Sequence, residues 1–405
     1  MMPKNKIPFP DQPPSGSGKR GDPTKNCASC DCAIELSNKK LLIPLGIVLY
    51  ANGKINLGPN PQNEWCPGIS PTSQSLIAQP GVYDDPEGEL VDFMVSIDCS
   101  EKKIGEPAID AAEIEIRDSE NKSIYHEDLS TPKKRPFHER NGKPDYLTKG
   151  KHRWQWDGYD DNDILDTARL KKGKNKILLK ITYNGIQAIC EKNFTCEPKD
   201  SDWSWIDIKI DRINKTISAL WRLNLTDMSN NAVNQNLIAL AIKGIAMHFS
   251  RHIKRYLIQD EEYIVTSTAI NNADPKMPKH FNLEVDKTGK KSSISAGNAV
   301  IYYDPTRLNE KSSNAEFHYL AAHECGHIVL KLAYPSLTNT FSWTHKGTTS
   351  LFQSYLKDSP QYRIGNPTDL MWYYLDVRPY KSWELAIAGK EDMRGLIYLS
   401  QIKFK

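Results

Sequence analysis

Two histidines and a glutamate lie close together in the stretch His323-Glu324-Cys325-Gly326-His327. Residues four positions apart share one face of an α-helix, so His323 and His327 can offer two imidazole nitrogens to a single metal ion. Glu324 is then placed beside the ion, where its carboxylate can take a proton from an activated water. The pattern predicts a Zn²⁺ site that hydrolyses peptide bonds, with Glu324 as the catalytic base.

The residues around this motif are typical of a buried helix running from Ala315 to Leu332. Ser313 and Glu316 have the form of a capping box at its start, and Pro335 predicts its end. Apolar residues recur at helical spacing: Phe317, Leu320, Ala321, Cys325, Ile328, Val329 and Leu332. Polar groups on a buried helix are costly unless they bind something, which favours a working site over a coincidental one.

A catalytic zinc site usually has three protein ligands, and the third is not on the motif helix. Leu330 and Ala333 occupy the positions where a longer HExxHxxGxxH pattern would have glycine and histidine. The later candidates for the third ligand are Asp369, His345, Asp376 and Glu384. A carboxylate suits Zn²⁺, which favours Asp369. His345 is alternatively predicted to assist catalysis by donating a hydrogen bond to the oxyanion.

Composition excludes several classes of protein. The 405 residues predict more than one domain. A formal charge of +3, without a dense basic block, does not favour nucleic-acid binding. No apolar run approaches the roughly 20 residues of a membrane span. The first residues, Met1 to Asn26, lack the apolar core of a signal peptide, so classical secretion is not expected.

The chain divides into four predicted regions. Residues 1–26 predict a flexible leader and residues 27–80 a loop-rich region with cysteines at Cys27, Cys30 and Cys32. Residues 81–200 contain short alternating runs that predict an immunoglobulin-like β-sandwich module, including Val91 to Ile97, Ala112 to Ile116 and Lys176 to Thr182. Cys190 and Cys196 could close a small disulfide loop there.

Residues 201–405 predict a zincin-like metallopeptidase domain. Strands at Ser204 to Ile210 and Thr216 to Leu225 precede a long helix from Val233 to Leu257. Two more strands, Tyr263 to Ser267 and Asn298 to Tyr303, come before the motif helix. An edge strand in such a domain can pair with an extended peptide. The predicted fold class is therefore α+β and multidomain.

Several stretches together resemble one known family. They are the motif itself, Ser342-Trp343-Thr344-His345-Lys346-Gly347-Thr348, the group Asp369-Leu370-Met371 with Tyr373-Tyr374, and the closing Leu399-Ser400-Gln401-Ile402-Lys403. Residues from Asp202 to Lys405 resemble the metallopeptidase domain found at the ends of some type VI secretion spike proteins and in free-standing effectors. The Trp154-to-Asp160 stretch, with its Trp-Asp-Gly turn, resembles the β domains that accompany such effectors.

The resemblance implies a zinc endopeptidase that acts as an antibacterial toxin in the periplasm of a target bacterium. It implies a carboxylate third ligand, which points to Asp369, and as partners a secretion spike protein and a cognate immunity protein. Two rival interpretations stay open: a catalytically inactive zincin-like docking module, and a zinc amidase that acts on cell-wall peptides. Zinc content together with a cleavage assay separates the docking module from the enzymes.

Overall fold

The computed structural model describes residues 30–36, 41–42, 91–99, 102–133, 145–198, 200–230, 232–250, 256–258, 261–271, 277–294, 299–333, 368–371, 383, 386–388, 392, 395–397 and 399–405. The strands up to residue 200 are β1 (Cys30–Leu36), β2 (Leu41–Leu42), β3 (Val91–Cys99), β4 (Ala111–Arg117), β5 (Ser123–Asp128), β6 (Gly150–Trp156), β7 (Ile164–Asp166), β8 (Lys174–Tyr183) and β9 (Ile186–Pro198).

The later strands are β10 (Ile206–Asp211), β11 (Thr216–Leu223), β12 (Leu225–Asp227), β13 (Tyr256–Ile258), β14 (Glu261–Asn271), β15 (Phe281–Val285), β16 (Ser293–Ile294), β17 (Ala299–Tyr303), β18 (Thr368–Asp369), β19 (Ala386–Ile387) and β20 (Ile402–Phe404). The α-helices are α1 (Thr167–Lys171), α2 (Leu237–Ser250) and α3 (Glu310–Ala333). The predicted α+β class is confirmed, and strands lie in each of the seven runs that the sequence predicted as strands.

Two sheets, built from the first half of the chain and its last strand, pack against each other through aromatic side chains. One has the order β1-β3-β6 and the other the order β2-β20-β9-β8-β4-β5. The ring of Phe93 on β3 lies 5.9 Å from that of Phe194 on β9, and the ring of Trp156 on β6 lies 6.1 Å from that of Phe404 on β20. Large buried rings of this kind contribute much of a core's hydrophobic free energy. The immunoglobulin-like assignment of this region stays a prediction.

The Trp-Asp-Gly turn is held by its own contacts. The Trp156 indole donates to the carbonyl of Tyr159 at 2.8 Å, and Gly158 has a φ of 84°, a conformation that side chains disfavour. Arg212 donates to the Asp157 carboxylate at 2.9 Å and lies 3.3 Å from the centre of the Tyr159 ring. The turn therefore fastens the first half of the chain to the loop that follows β10.

Two strand pairings cross residue 200, where the sequence predicted a domain boundary. β7 pairs with β10, with Leu165 opposite Ile210. β20, close to the end of the chain, pairs with β9, with Ile402 opposite Pro198. The division at this residue stays a prediction, but the hydrogen-bonded sheets on either side are continuous across it.

The second half is built on two mixed sheets. One has the order β13-β14-β11-β10-β7, in which β11 and β14 are parallel. The other has the order β12-β15-β17-β16, in which β12, β15 and β17 are parallel and β16 is an antiparallel edge strand. Helix α2 packs on the first sheet, where Phe249 meets Trp221 with ring centroids 4.5 Å apart. Helix α3 follows β17 directly.

Helix α2 is shorter than predicted. It covers Leu237–Ser250 rather than Val233 to Leu257. Asn236 caps its start, because the side-chain oxygen accepts the Ala239 amide at 2.9 Å. At its other end, the Ser250 hydroxyl accepts the Ser267 amide at 2.7 Å, which ties the helix to β14. Tyr256–Ile258 then forms β13 and pairs with β14, so this part of the helix prediction is wrong.

The predicted capping box of α3 is also wrong. The helix begins at Glu310, and Asn309 accepts the Ser312 amide through its side chain at 2.9 Å. Glu316 pairs with Arg307 instead, with 2.6 Å between a guanidinium nitrogen and the carboxylate. An ion pair with a neighbouring arginine is a stronger contact for a carboxylate than one backbone amide.

The cysteine loop suggested for Cys190 and Cys196 does not form. Both are free thiols on the single strand β9. Six residues of extended strand span about 20 Å, far beyond the reach of a disulfide. No helix among the described residues is both long and apolar enough to cross a membrane.

Candidate metal centre

Helix α3 brings the three motif side chains together. His323, Glu324 and His327 offer ligand atoms that all lie within 4.8 Å of one another. The two imidazole rings have centroids 4.7 Å apart and planes inclined by 80°. His323 and Glu324 are buried, and His327 is partly exposed. The arrangement combines two nitrogen donors and a carboxylate at the margin of a buried environment.

A backbone carbonyl determines which ring nitrogen of His323 carries the hydrogen. Its Nδ1 lies 2.8 Å from the carbonyl oxygen of Leu370, just after β18. Because a carbonyl oxygen only accepts hydrogen bonds, Nδ1 must carry the hydrogen, and in a neutral ring Nε2 then keeps its lone pair. Histidines that bind metals usually have their other nitrogen held in this way. His323 is thus in the tautomer that presents the lone pair of Nε2 to a metal ion.

Aromatic rings hold the orientation of His323. Tyr319, one helical turn earlier, stacks on its ring with centroids 5.4 Å apart and planes inclined by 24°. Trp383 packs on Tyr319 in turn, with ring centroids 4.8 Å apart. A ring held by a stack and a hydrogen bond loses little further freedom when it binds a ligand.

Glu324 is a buried carboxyl group beside His327. One of its carboxylate oxygens lies 3.9 Å from Nε2 of His327, and the same oxygen makes no hydrogen bond within the described part of the chain. Burial raises the pKa of Glu324 to about 8. A cation held by the two histidines would favour the charged carboxylate. A buried oxygen without a hydrogen bond, next to two imidazoles, is what a metal site with its general base would leave behind in a metal-free protein.

The segment after β18 approaches the motif closely because residue 326 is glycine. A Cβ atom on Gly326 would lie 2.4 Å from the sulfur of Met371, well inside contact distance. Leu370 and Met371 are both fully buried. The glycine therefore gives the chain after Asp369 room to reach His323.

The other predicted site residues are described only in part. Asp369 lies on β18, and the backbone of the next residue contacts His323, but its side chain is outside the described residues. His345, Asp376 and Glu384 also lie outside the described residues. Their assigned roles stay predictions.

Sequence reasoning missed the contacts that orient the motif. Tyr319 was detectable, because it precedes His323 by one helical turn and so lies on the same face. The Leu370 carbonyl was not, because a backbone acceptor 47 residues away has no side-chain signature.

Comparisons with known proteins do not assign the chain to a family. No protein-family model matches it, and no curated protein matches it. Among solved structures, a β-glucuronidase from Parabacteroides merdae is similar over 58% of this chain and 31% of its own, with 11% identity and a TM-score of 0.16. The same enzyme with glycerol in its active site is similar over 59% and 30%, with 10% identity and a TM-score of 0.16. The chain spans about a third of the length of these proteins, and a likeness this weak carries no argument.

Proposed function

We propose that the protein is a zinc-dependent endopeptidase. The observation that supports this best is the group on α3, in which His323 is in the metal-binding tautomer and Glu324 lies beside His327. Two imidazoles and an adjacent carboxylate on one helix suit Zn²⁺ and a general base. We assign His323 and His327 as ligands and Asp369, whose backbone adjoins the Leu370 carbonyl, as the third ligand.

The order of elements supports a zincin-like domain. Strands β11 and β12 precede the backing helix α2, and the antiparallel edge strand β16 and strand β17 precede α3. An edge strand next to the metal helix offers unpaired backbone groups to an extended peptide. We infer from this order that the substrate binds to β16 as an added strand.

The residues of the chain have distinct tasks in the proposed reaction. Zn²⁺, when bound, would polarise the scissile carbonyl and acidify a water molecule. Glu324 takes the proton from the attacking water and passes it to the leaving amine. The stack of Tyr319 on His323 keeps that ligand from turning, and the buried surroundings of Glu324 strengthen its electrostatic interactions. His345 is assigned to stabilise the oxyanion.

The biological setting follows the family resemblance. We propose that the protein is a type VI secretion effector, which reaches the periplasm of a competing bacterium with a spike protein. An immunity protein would protect the producing cell. The β-sandwich module of residues 81–200, which contains the Trp-Asp-Gly turn, is assigned to docking rather than to catalysis.

The first prediction concerns Glu324→Gln, which keeps the size of the side chain and removes its basicity. Zinc content, measured by elemental analysis, should stay near one ion per chain, while cleavage of an unfolded protein should fall about 10²–10⁴-fold, as expected for loss of a general base. The control Glu310→Gln makes the same chemical change at an exposed position of the same helix and should leave both values unchanged. Wild-type protein without zinc or cleavage, or full activity in Glu324→Gln, would contradict the proposal.

A further inference from the structure

Buried histidines from two helices hold the short ladder formed by β18 and β19. His323 on α3 donates to the carbonyl of Leu370, and His248 near the end of α2 donates from Nδ1 to the carbonyl of Ala386 at 2.8 Å. The strands are parallel, with Thr368 opposite Ala386. The two histidines therefore hold the ladder at neighbouring points, His248 on β19 and His323 on the residue that follows β18.

His248 makes further contacts that lead to His323. Its own backbone carbonyl accepts the amide of Ala388 at 3.2 Å, so α2 and the β19 segment exchange two hydrogen bonds. Its ring meets Tyr319 edge-on, with centroids 6.2 Å apart and planes inclined by 86°. Tyr319 in turn stacks on His323. Both the ladder and the aromatic contacts connect His248 to the candidate ligand.

His248 itself is not a member of the metal group. The group that could hold a metal among the described residues contains His323, Glu324 and His327 alone. His248 is fully buried and its Nδ1 is committed to a carbonyl oxygen. An imidazole placed in this way can fix the position of the backbone that it contacts.

We propose that His248 is a positioning residue of the metal centre. It fixes β19, and through the ladder it fixes β18 and the Leu370 carbonyl that sets the tautomer and orientation of His323. The proposal rests on the proposed function, since it assumes that His323 binds zinc. Hydrogen bonds that orient a ligand directly change the affinity of a metal site by about 10–100-fold, and His248 acts on such a bond through the ladder.

A matched pair of substitutions tests the hydrogen bond. Asparagine and leucine have nearly the same shape, but the amide nitrogen of asparagine stands where Nδ1 of histidine stands and can donate to Ala386. Zinc affinity should fall about 10–100-fold in His248→Leu and stay within about threefold of wild type in His248→Asn. Affinity is measured by competition with a chelator, on the full chain and well below the unfolding temperature. Absorption spectra of Co²⁺-substituted protein should change in the leucine variant alone.

The control Phe249→Leu separates positioning from general stability. Phe249 is the next residue of α2 and packs on Trp221, on the sheet side. This variant should lose stability and keep both zinc affinity and the cobalt spectrum. If His248→Leu loses no more affinity than Phe249→Leu, or if His248→Asn weakens zinc as much as His248→Leu, the positioning role is wrong while the zinc site stands. Wild-type protein that binds no zinc would overturn the proposed function and this proposal together.

Discussion

At the scale of single residues, Gly326 decides how close the chain after β18 can come to α3. The sulfur of Met371 occupies the space that a Cβ atom would need. The glycine lies between Glu324 and His327, and Met371 directly follows Leu370, whose carbonyl holds His323. The motif therefore includes a packing requirement beside its chemical one.

We predict that Gly326→Ala destabilises the fold by about 1–3 kcal/mol, since it forces Met371 out of a filled space. Met371→Ala alone should cost about 2–5 kcal/mol through the cavity that it leaves. The double variant should lose less stability than the sum of the two single losses, because the new methyl group enters that cavity. Urea unfolding of the four proteins gives the coupling free energy. Additive losses would show that the two residues do not compete for the same space.

The site residues that could be predicted from the sequence are those that lie close together along the chain. His323, Glu324 and His327 were readable because helical spacing is local. The partners of His323 come from Leu370 and, through the ladder, from α2, and these long-range contacts depend on tertiary packing. Asp369 was predicted from the ligand chemistry of Zn²⁺ and from the family resemblance, and its role as a ligand stays a prediction.

At the scale of elements, the crossing of α2 and α3 is set by Gly244. A Cβ atom on Gly244 would lie 2.4 Å from the carbonyl oxygen and 2.5 Å from the Cα of His318. Backbone atoms cannot turn aside as a side chain can. The two helices therefore touch backbone to backbone at this point, one turn before His248.

We predict that Gly244→Ala destabilises the fold by about 3 kcal/mol or more, although alanine is the better helix former by about 1 kcal/mol. The gain in helix propensity is outweighed because the helices must move apart. Zinc affinity should fall as well, since His248 and Tyr319 lose their contact. Lys243→Ala, at an exposed position of the same helix, should change stability by less than about 0.5 kcal/mol. Equal stability of the Gly244→Ala variant and wild type would rule out this packing.

Strands were predicted better than helix ends. Alternation of apolar residues identified β3, β4, β8, β10, β11, β14 and β17, because one buried face imposes a period of two. The predicted starts of α2 and α3 were wrong because asparagine caps at Asn236 and Asn309 decided where the helices begin. A single side-chain hydrogen bond can move a helix end by a turn without changing the apolar pattern.

At the scale of the whole molecule, the last strand returns to the first half of the chain. Strand β20 pairs with β9, and the amide of Lys405 donates to the carbonyl of Thr195 at 2.9 Å. Phe404 is fully buried among Trp156 and Phe194. No local pattern predicts a pairing between residues 402 and 198, since it depends on the path of the whole chain. The core of the β region is therefore completed by the end of the sequence.

We predict that Phe404→Ala costs about 3–5 kcal/mol, the usual range for removing a buried phenylalanine. Because β7–β10 and β9–β20 pairings join the two halves, tryptophan fluorescence and zinc release should shift together to lower urea. Lys405→Ala removes only a largely exposed ion pair with Glu197 and should cost less than about 1 kcal/mol. If Phe404→Ala shifts the fluorescence transition and leaves zinc release unchanged, the two halves unfold independently. The predicted boundary near residue 200 would then separate two units that unfold separately.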